Sequence, residues 1–557
     1  MLIYDAYLLL INASGNGYIY LNGQNIGRHW EAGPQREFYL PECWLNRGEN
    51  KKNVITLGLR QTKNGAMIKT MEIATYLKNN SGFMKTSSII LSAFLFTCIV
   101  SQVENAAAQK VKSADGCRML NPICPPGVYI ADPEVRQMPD GRVYLYGSRD
   151  EPGNAWCSRS YNVLSTSDLV NWNIEQISFS TSGTGKQTSY TDKILYAPDC
   201  IQNDGKYYLY YCLEGGGKDE GVAVASSPYG PFKNGKIIEG ARGIDPSIFI
   251  DDDGQAYLFW GQAYAKGAKL SKDMLTIEGK IHDSLLTYQK QAFNEASSVR
   301  KRNGIYYYVY GGHQRHGESN CATLNYATAN SPLGPYTFRG VIIDNWGSGK
   351  NLVNNHGCIT EINGQWYVFY HRPTHGSSTM RKACMEPITF NANGTINEVE
   401  MTTQGAGGLI NPLRRMDAAR ACLMSGNLLV TVRRPDNDIP VEYLSAIRDG
   451  DYAYWKYFDF TGKEVNHFTC KTWGNNLAGK IEIHLDRPDG ELIGVCNVAL
   501  MQDEVAYSIH ETDVKSVIGK HALVLVFKAI NQGEKNLNLL NLEWFIFKNG
   551  VKWKYSF

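Results

Sequence analysis

QNDGKYYLYY, residues 202–211, returns four more times in variant form: MPDGRVYLYG at 138–147, DDDGQAYLFW at 251–260, KRNGIYYYVY at 301–310 and EINGQWYVFY at 361–370. Each copy carries Asp-Gly or Asn-Gly, two further residues, then an alternating run rich in aromatic side chains. Asn-Gly and Asp-Gly favour the tight type I′ hairpin turn, whose two central residues both need positive φ. β-Branched and aromatic residues after the turn suit a strand. Each copy therefore predicts a hairpin, and the turn glycines Gly141, Gly205, Gly254, Gly304 and Gly364 space the hairpins at about one propeller blade apiece. Five copies predict five blades. SSPYGPF at 226–232 echoes NSPLGPY at 330–336, and STSDLVNW at 165–172 reads as a further turn at a blade edge.

The chain has 557 residues, enough for about three domains. A net charge of +2 argues against a polyanionic partner such as nucleic acid. The 34 tyrosines and 11 tryptophans suit β-structure and also suit flat sugar rings. Thirteen cysteines at irregular spacing give no disulfide framework, although Cys117 and Cys124 are close enough to pair. No CxxC pair or HExxH occurs, so structural zinc and zincin chemistry are not expected.

A propeller scaffold carries no chemistry of its own. Three acids stand apart from the surface pool: Asp132 in YIADPEV, Asp245 in GIDPSIF and Glu295 in FNEASSV, each just ahead of a blade hairpin and flanked by apolar or small residues. Blade symmetry predicts that all three face the central axis at one level. Two carboxyl groups across a funnel suit glycoside hydrolysis, one keeping its proton for the leaving oxygen and the other ionised to activate water.

These motifs, with LYAPD at 195–199 and the five hairpins, resemble glycoside hydrolase family 43 over about residues 120–410. The resemblance implies an inverting mechanism with Asp132 as general base, Glu295 as general acid and Asp245 as the group that orients the acid and tunes its pKa. Arg381, in MRKACMEPITF, is similar to the family's substrate-binding arginine, and Tyr196 and Phe293 join it as candidate substrate-binding side chains. His356, in NNHGCIT, resembles an axial histidine that supports a calcium or sodium ion; no cofactor is otherwise required. The substrates implied are α-L-arabinofuranosides and β-D-xylosides of plant cell-wall side chains, with a β-galactofuranosidase or galactan-active enzyme as the alternative. A non-catalytic propeller that only binds glycan is the reading of another class. The partner is an oligo- or polysaccharide, and the chain is expected to be a monomer. The stretches 174–194 and 311–322 are candidate funnel walls.

The whole chain is thus expected to be all-β, with a five-bladed β-propeller over 115–415. Residues 416–557 change to alternating strands without the hairpin period. They predict a β-sandwich that resembles a family 6 carbohydrate-binding module, with Tyr454, Trp455 and Trp473 as a candidate stacking platform. Residues 84–108, MKTSSIILSAFLFTCIVSQVENAAA, have the charge, short apolar run and small-residue exit of a secretory leader, too short for a membrane span. Translation from Met84 would make the mature protein secreted or periplasmic, with no membrane span. Residues 1–83, with NGYIYLNGQNIGRHWEAGPQ, resemble the galactose-binding-like jelly roll at the end of a family 35 β-galactosidase, as a partial fragment.

Overall fold

The computed structural model describes residues 120–549, apart from 152–155, 184, 215–218, 318–319, 351–353, 434–439, 475–476, 501–506 and 531–537, together with seven strands between Asp5 and Leu91. Two units result, Met1–Lys112 and Ser113–Phe557. Helix among the described residues amounts to one short turn, Tyr288–Gln291, and two 3₁₀ turns, and no described helix is long and apolar enough to cross a membrane.

Five sheets form the blades, and in each the chain starts at the innermost strand and steps outward. The inner strands are Ile130–Gln137, Asp199–Asn203, Ser247–Ile250, Phe293–Arg302 and Cys358–Ile362. The second strands, Val143–Arg149, Lys206–Cys212, Ala256–Trp260, Ile305–Gly312 and Gln365–Thr374, are the repeated phrases. Strand alternation explains why these phrases are apolar and aromatic throughout. In the second blade Leu209 and Tyr211 point into the core shared with blade one, while Tyr208 and Tyr210 point into the core shared with blade three. Blade four repeats this, with Tyr306, Tyr308 and Tyr310 on one side and Tyr307 and Val309 on the other. The buried phenols find partners, as buried tyrosines must: Tyr210 donates to the Met274 carbonyl at 2.8 Å and Tyr308 to Ser297 Oγ at 2.8 Å.

A separate apolar core lies at each of the five blade junctions, including the one between blades five and one that closes the ring. Blade five has three strands, and its outer edge is covered by the segment entering the propeller. There Ile123 N donates to Ala383 O, and Asn121 bonds Met385 and Glu386.

The turns divide into two kinds. In blades two, four and five the central pairs Asp204-Gly205, Asn303-Gly304 and Asn363-Gly364 all have positive φ, as a type I′ turn requires. In blades one and three only Gly141 and Gly254 do, and the loops are longer, closed by Met138 N to Arg142 O and Asp251 N to Gln255 O at 2.9 Å each. The additional residue lets the turn start in ordinary right-handed geometry and reserve the left-handed position for glycine.

The C-terminal sandwich packs a sheet containing Leu429–Arg433, Val441–Ser445, Asn541–Lys548, His467–Trp473 and Tyr507–Asp513 against one containing Tyr452–Asp459, Lys520–Ala529, Gly479–Leu485 and Leu492–Val498. Its core absorbs the central aromatic of the expected stacking platform. Trp455 is fully buried, edge-on to Phe545 at 4.9 Å, because Ala453 and Trp455 alternate inward while Tyr452 and Tyr454 alternate outward. Trp473 is half-buried between Tyr443 and the Arg433 guanidinium. The sandwich joins the propeller through backbone bonds such as Ile410 N to Tyr457 O and Met424 N to Gly347 O.

In the N-terminal unit, Glu37–Leu40, Asp5–Ala13, Ile68–Asn79 and Gly82–Leu91 form one sheet and Gln24–His29, Gly17–Leu21 and Ile55–Leu59 another. Gly82–Leu91 runs through Met84, so the beginning of the leader-like stretch is an edge strand here. The rest of that stretch, and Cys117, lie outside the described residues, whereas Cys124 is a buried free thiol.

Candidate active site

Blade symmetry brings one residue from each inner-strand entrance to the floor of a funnel of about 380 Å³: Asp132, Ala197, Asp245, Glu295 and His356. The strands do not enter smoothly. Register slips between Ala131 and Glu134 and again between Phe293, Glu295 and Ser298 mark bulges at the acids. Asp132 and Asp245 have φ of 51° and 61°, and Ala296 has 71°. Bulges that re-aim a side chain are common beside reactive groups, and strain of this kind persists only where surroundings over-determine it.

Asp132 is the most constrained. It is 5% exposed, its Oδ1 accepts from Arg381 Nη1 at 2.8 Å, its Oδ2 accepts from Ser148 Oγ, and its backbone N–H donates to His371 Nδ1 at 3.2 Å. Burial alone would raise its pKa. The Arg381 charge, with support from His371 and His356, outweighs burial and holds the carboxyl well below the usual range. Arg381 is itself locked, its Nε and Nη2 on Asp150 at 2.9 Å each and its guanidinium 4.9 Å from the Trp156 ring. It lines the funnel, but most of its fork is committed to two carboxylates rather than left for a ligand.

Glu295, from blade four, lines the same funnel and is half-buried. Gln262 Nε2 donates to its Oε2 at 2.8 Å and Asn354 Nδ2 to its Oε1 at 3.2 Å. Asp245 takes the backbone N–H of Ala296, the next residue along, at 2.9 Å, so it fixes the strand that carries Glu295. His356 Nδ1 lies 3.7 Å from both Asp132 Oδ1 and Asp245 Oδ2. Burial pushes this imidazole down to about 4, against the attraction of Asp132. Neutral imidazole is the form that ligates metals, yet among the described residues no group of three or more His, Cys, Asp or Glu could hold an ion.

Tyr196 lines the funnel as expected. Phe293 does not: it is fully buried against Tyr308 and Tyr310. A regular strand would put residues 293 and 295 on one face; the bulge between them breaks the alternation. Of the two proposed walls, 311–322 contributes His313 and Cys321, whereas none of the described residues of 174–194 lines the funnel, because much of that stretch is the outermost strand of blade one, Asn173–Ser180.

Several lining or supporting residues have no signal in the sequence: Trp156, Gln262, Asn294, Asn354, Asp150 and His371. Below the funnel, charged inner-strand residues plug the axis. Arg300 bonds Glu134 at 2.6 Å, and Arg136 grips Asp199 at 2.6 and 3.1 Å. Asp199 also accepts from Ile248 N at 2.9 Å, and Val135 N donates to Cys358 Sγ at 3.3 Å, so all five inner strands are tied together. Glu134 and Arg136 lie two and four residues beyond Asp132 and Asp199 two beyond Ala197, whereas the bulge after Glu295 puts Arg300 five beyond it, so the spacing has no meaning without the propeller geometry.

Three comparisons with known proteins bear on this arrangement. The family description "Glycosyl hydrolases family 43" matches residues 119–396, "Carbohydrate binding module (family 6)" matches 433–549, and "Beta-galactosidase, galactose-binding domain" matches 4–50. An arabinoxylan arabinofuranohydrolase of Bacillus subtilis (strain 168) is 28% identical over 475 residues, covering 75% of this chain and 90% of that protein. A xylosidase/arabinosidase of Thermoclostridium stercorarium is 31% identical over 436 residues, covering 65% of this chain and 90% of that protein. Among solved structures, a family 43 arabinoxylan arabinofuranohydrolase from Bacillus subtilis in complex with cellotetraose aligns with a TM-score of 0.44 and 26% identity, over 78% of this chain and 99% of that one.

Proposed function

Because this chain belongs to glycosyl hydrolases family 43, a family of inverting glycosidases, we propose that its funnel removes α-L-arabinofuranosyl or β-D-xylosyl groups from plant cell-wall polysaccharide. The names of the relatives support this substrate class. One observation carries the catalytic assignment: a buried carboxylate clamped by Arg381 and a half-buried carboxyl line the same funnel.

In this reading Asp132 is the general base. Its depressed pKa keeps it ionised, so it can take a proton from a water attacking the anomeric carbon. Glu295 is the general acid, handing its proton to the leaving glycosidic oxygen, while Gln262 and Asn354 hold its carboxyl plane. Asp245 positions the acid through Ala296 N–H and adds a nearby negative charge. Inversion follows if water and leaving group occupy opposite faces of the sugar, with room for the water between base and anomeric carbon. Acid–base hydrolysis of this kind uses no cofactor. His356 is the residue that would hold an ion there, and no step depends on one.

We further propose export after translation from Met84, and a monomeric mature enzyme. The N-terminal residue of the secreted protein, by mass spectrometry, and sedimentation test these two readings. For the activity, the full chain is incubated with arabinoxylan, arabinan, xylo-oligosaccharides and a galactofuranoside, beside Glu295→Gln. Release of arabinose or xylose, lost in Glu295→Gln, supports the proposal. Release of galactose instead moves the assignment to the galactofuranoside alternative, and glycan binding without release moves it to a binding protein.

A further inference from the structure

In the sandwich Trp455 is internal and Trp473 is pinned, Tyr507 is exposed with Lys471 over its ring, and among the described residues one tryptophan is exposed. It is Trp346, at 48%, and it belongs to the propeller. One face of its indole stacks on His316, with ring centroids 4.2 Å apart and planes 9° from parallel. The imidazole is held by Asp344 at 2.7 Å, and Asp344 also accepts the Trp346 backbone N–H at 2.9 Å. The ring is thus fixed before any ligand arrives.

Trp346 borders a groove of about 430 Å³ between blade four and the sandwich, within the roughly 300–1,000 Å³ usual for small-molecule sites. Its lining combines apolar surface from Val399, Met401 and Leu423 with Glu398, Glu400 and Lys456. The charges are already matched. Arg315 holds Glu398 through two bonds of 2.6 Å, and Lys456 holds Glu400 at 2.8 Å. Such a groove suits neither a metal ion nor a strongly charged ligand. It suits a neutral ligand with a flat apolar face and many hydroxyls, which is a pyranose chain.

The groove and the funnel share no lining residue, but internal hydrogen bonds link their walls. Asn345, next to Trp346, donates to the carbonyls of His371 at 2.9 Å and Asn354 at 3.2 Å, and Asn354 holds Glu295. His316 lies in the loop whose first residue, His313, lines the funnel.

We propose that the Trp346–His316 groove is a second saccharide site, taking the unbranched β-linked backbone of the polysaccharide whose terminal or side-chain sugar enters the funnel; this rests on the substrate reading above. Its occupancy would raise the effective concentration of polymer at the funnel.

The test uses the full chain carrying Glu295→Gln, to prevent turnover, and xylohexaose as the probe. Titration calorimetry and indole emission are read for this protein and for the same protein with Trp346→Ala or Trp346→Phe. The expected result is an emission change that disappears in both Trp346 variants. Xylohexaose affinity should fall about tenfold in Trp346→Ala and less in Trp346→Phe, which keeps a ring face. Unchanged affinity and emission in Trp346→Ala, or no xylohexaose binding by the parent, overturns the groove. Sugar release by the wild-type chain is measured separately, so failure of the groove and failure of the hydrolase reading are distinguishable.

Discussion

Replacing Arg381 by methionine should change stability and the pH dependence of catalysis together. Arg381 is 2% exposed and lies between Asp132 and Asp150, which are 5% and 3% exposed. Methionine fills part of the volume but leaves two buried carboxylates without their cation. Removing one partner of a buried ion pair costs roughly 3–5 kcal/mol. In the wild type the folded pKa of Asp132 lies below its unfolded value of about 3.9, so its stabilising contribution is present above that pH and is lost on acidification. In Arg381→Met burial dominates, and the folded pKa of Asp132 rises above the unfolded value. The sign then reverses: the ionised group destabilises the fold at neutral pH, and protonation relieves it. The stability difference between the two proteins should therefore be largest near pH 7 and shrink towards pH 4. The acid limb of kcat/KM should move to higher pH, because the base must lose its proton to work. Urea melts at several pH values and a pH–rate profile on an aryl glycoside measure both effects. A difference below about 1 kcal/mol, together with an unmoved acid limb, would refute the claim that Arg381 sets the state of Asp132.

Asp132→Asn should lower kcat by about 10²–10⁴-fold, the usual contribution of acid–base catalysis, and should also lower the melting temperature at pH 7, because Arg381 loses one of its two buried carboxylate partners. Glu295→Gln should be strongly impaired on natural linkages but much less on a dinitrophenyl glycoside, whose leaving group needs no proton; equal losses on both substrates would remove Glu295 from the acid role. His356 is pushed down to about 4, below its unfolded value of about 6.5, so the native state loses stability as pH falls from about 6.5 to about 4. His356→Gln should recover about 3 kcal/mol of that acid loss in melts at pH 7 and pH 4. Gly357→Ala should destabilise blade five, since an added Cβ would meet the Phe369 carbonyl oxygen; a drop in thermal midpoint without aggregation is the readout.

The propeller was legible because its repeat couples two physical signals, a turn that needs positive φ and a strand buried on both faces. Five inter-blade cores follow from alternate tyrosines pointing to opposite neighbours. The three acids were legible for the same reason: equivalent places in repeated units become neighbours around an axis. Other features depend on departures from the repeat, which periodicity cannot show. A bulge sent Phe293 into the core while its neighbour Glu295 reached the funnel. Asn354 and Gln262 meet Glu295 from separate blades through loops with no recurring wording. In the sandwich, the sequence shows a cluster of aromatics, but only strand register tells which face is dry. Trp455 proved internal, whereas Trp346, in the stretch IIDNWGSG, is the exposed tryptophan among the described residues.

The central claim is that Asp132 and Glu295 hydrolyse a glycoside by single displacement. Proton NMR of the anomeric region during the first minutes of turnover tests it most directly. With an aryl β-D-xyloside, the account predicts α-xylose as the first sugar seen, with the β-anomer growing in later by mutarotation, and no signal from Glu295→Gln on natural xylo-oligosaccharides. β-Xylose appearing first would require a covalent intermediate on a carboxylate and would contradict the assignment of Asp132 as a base.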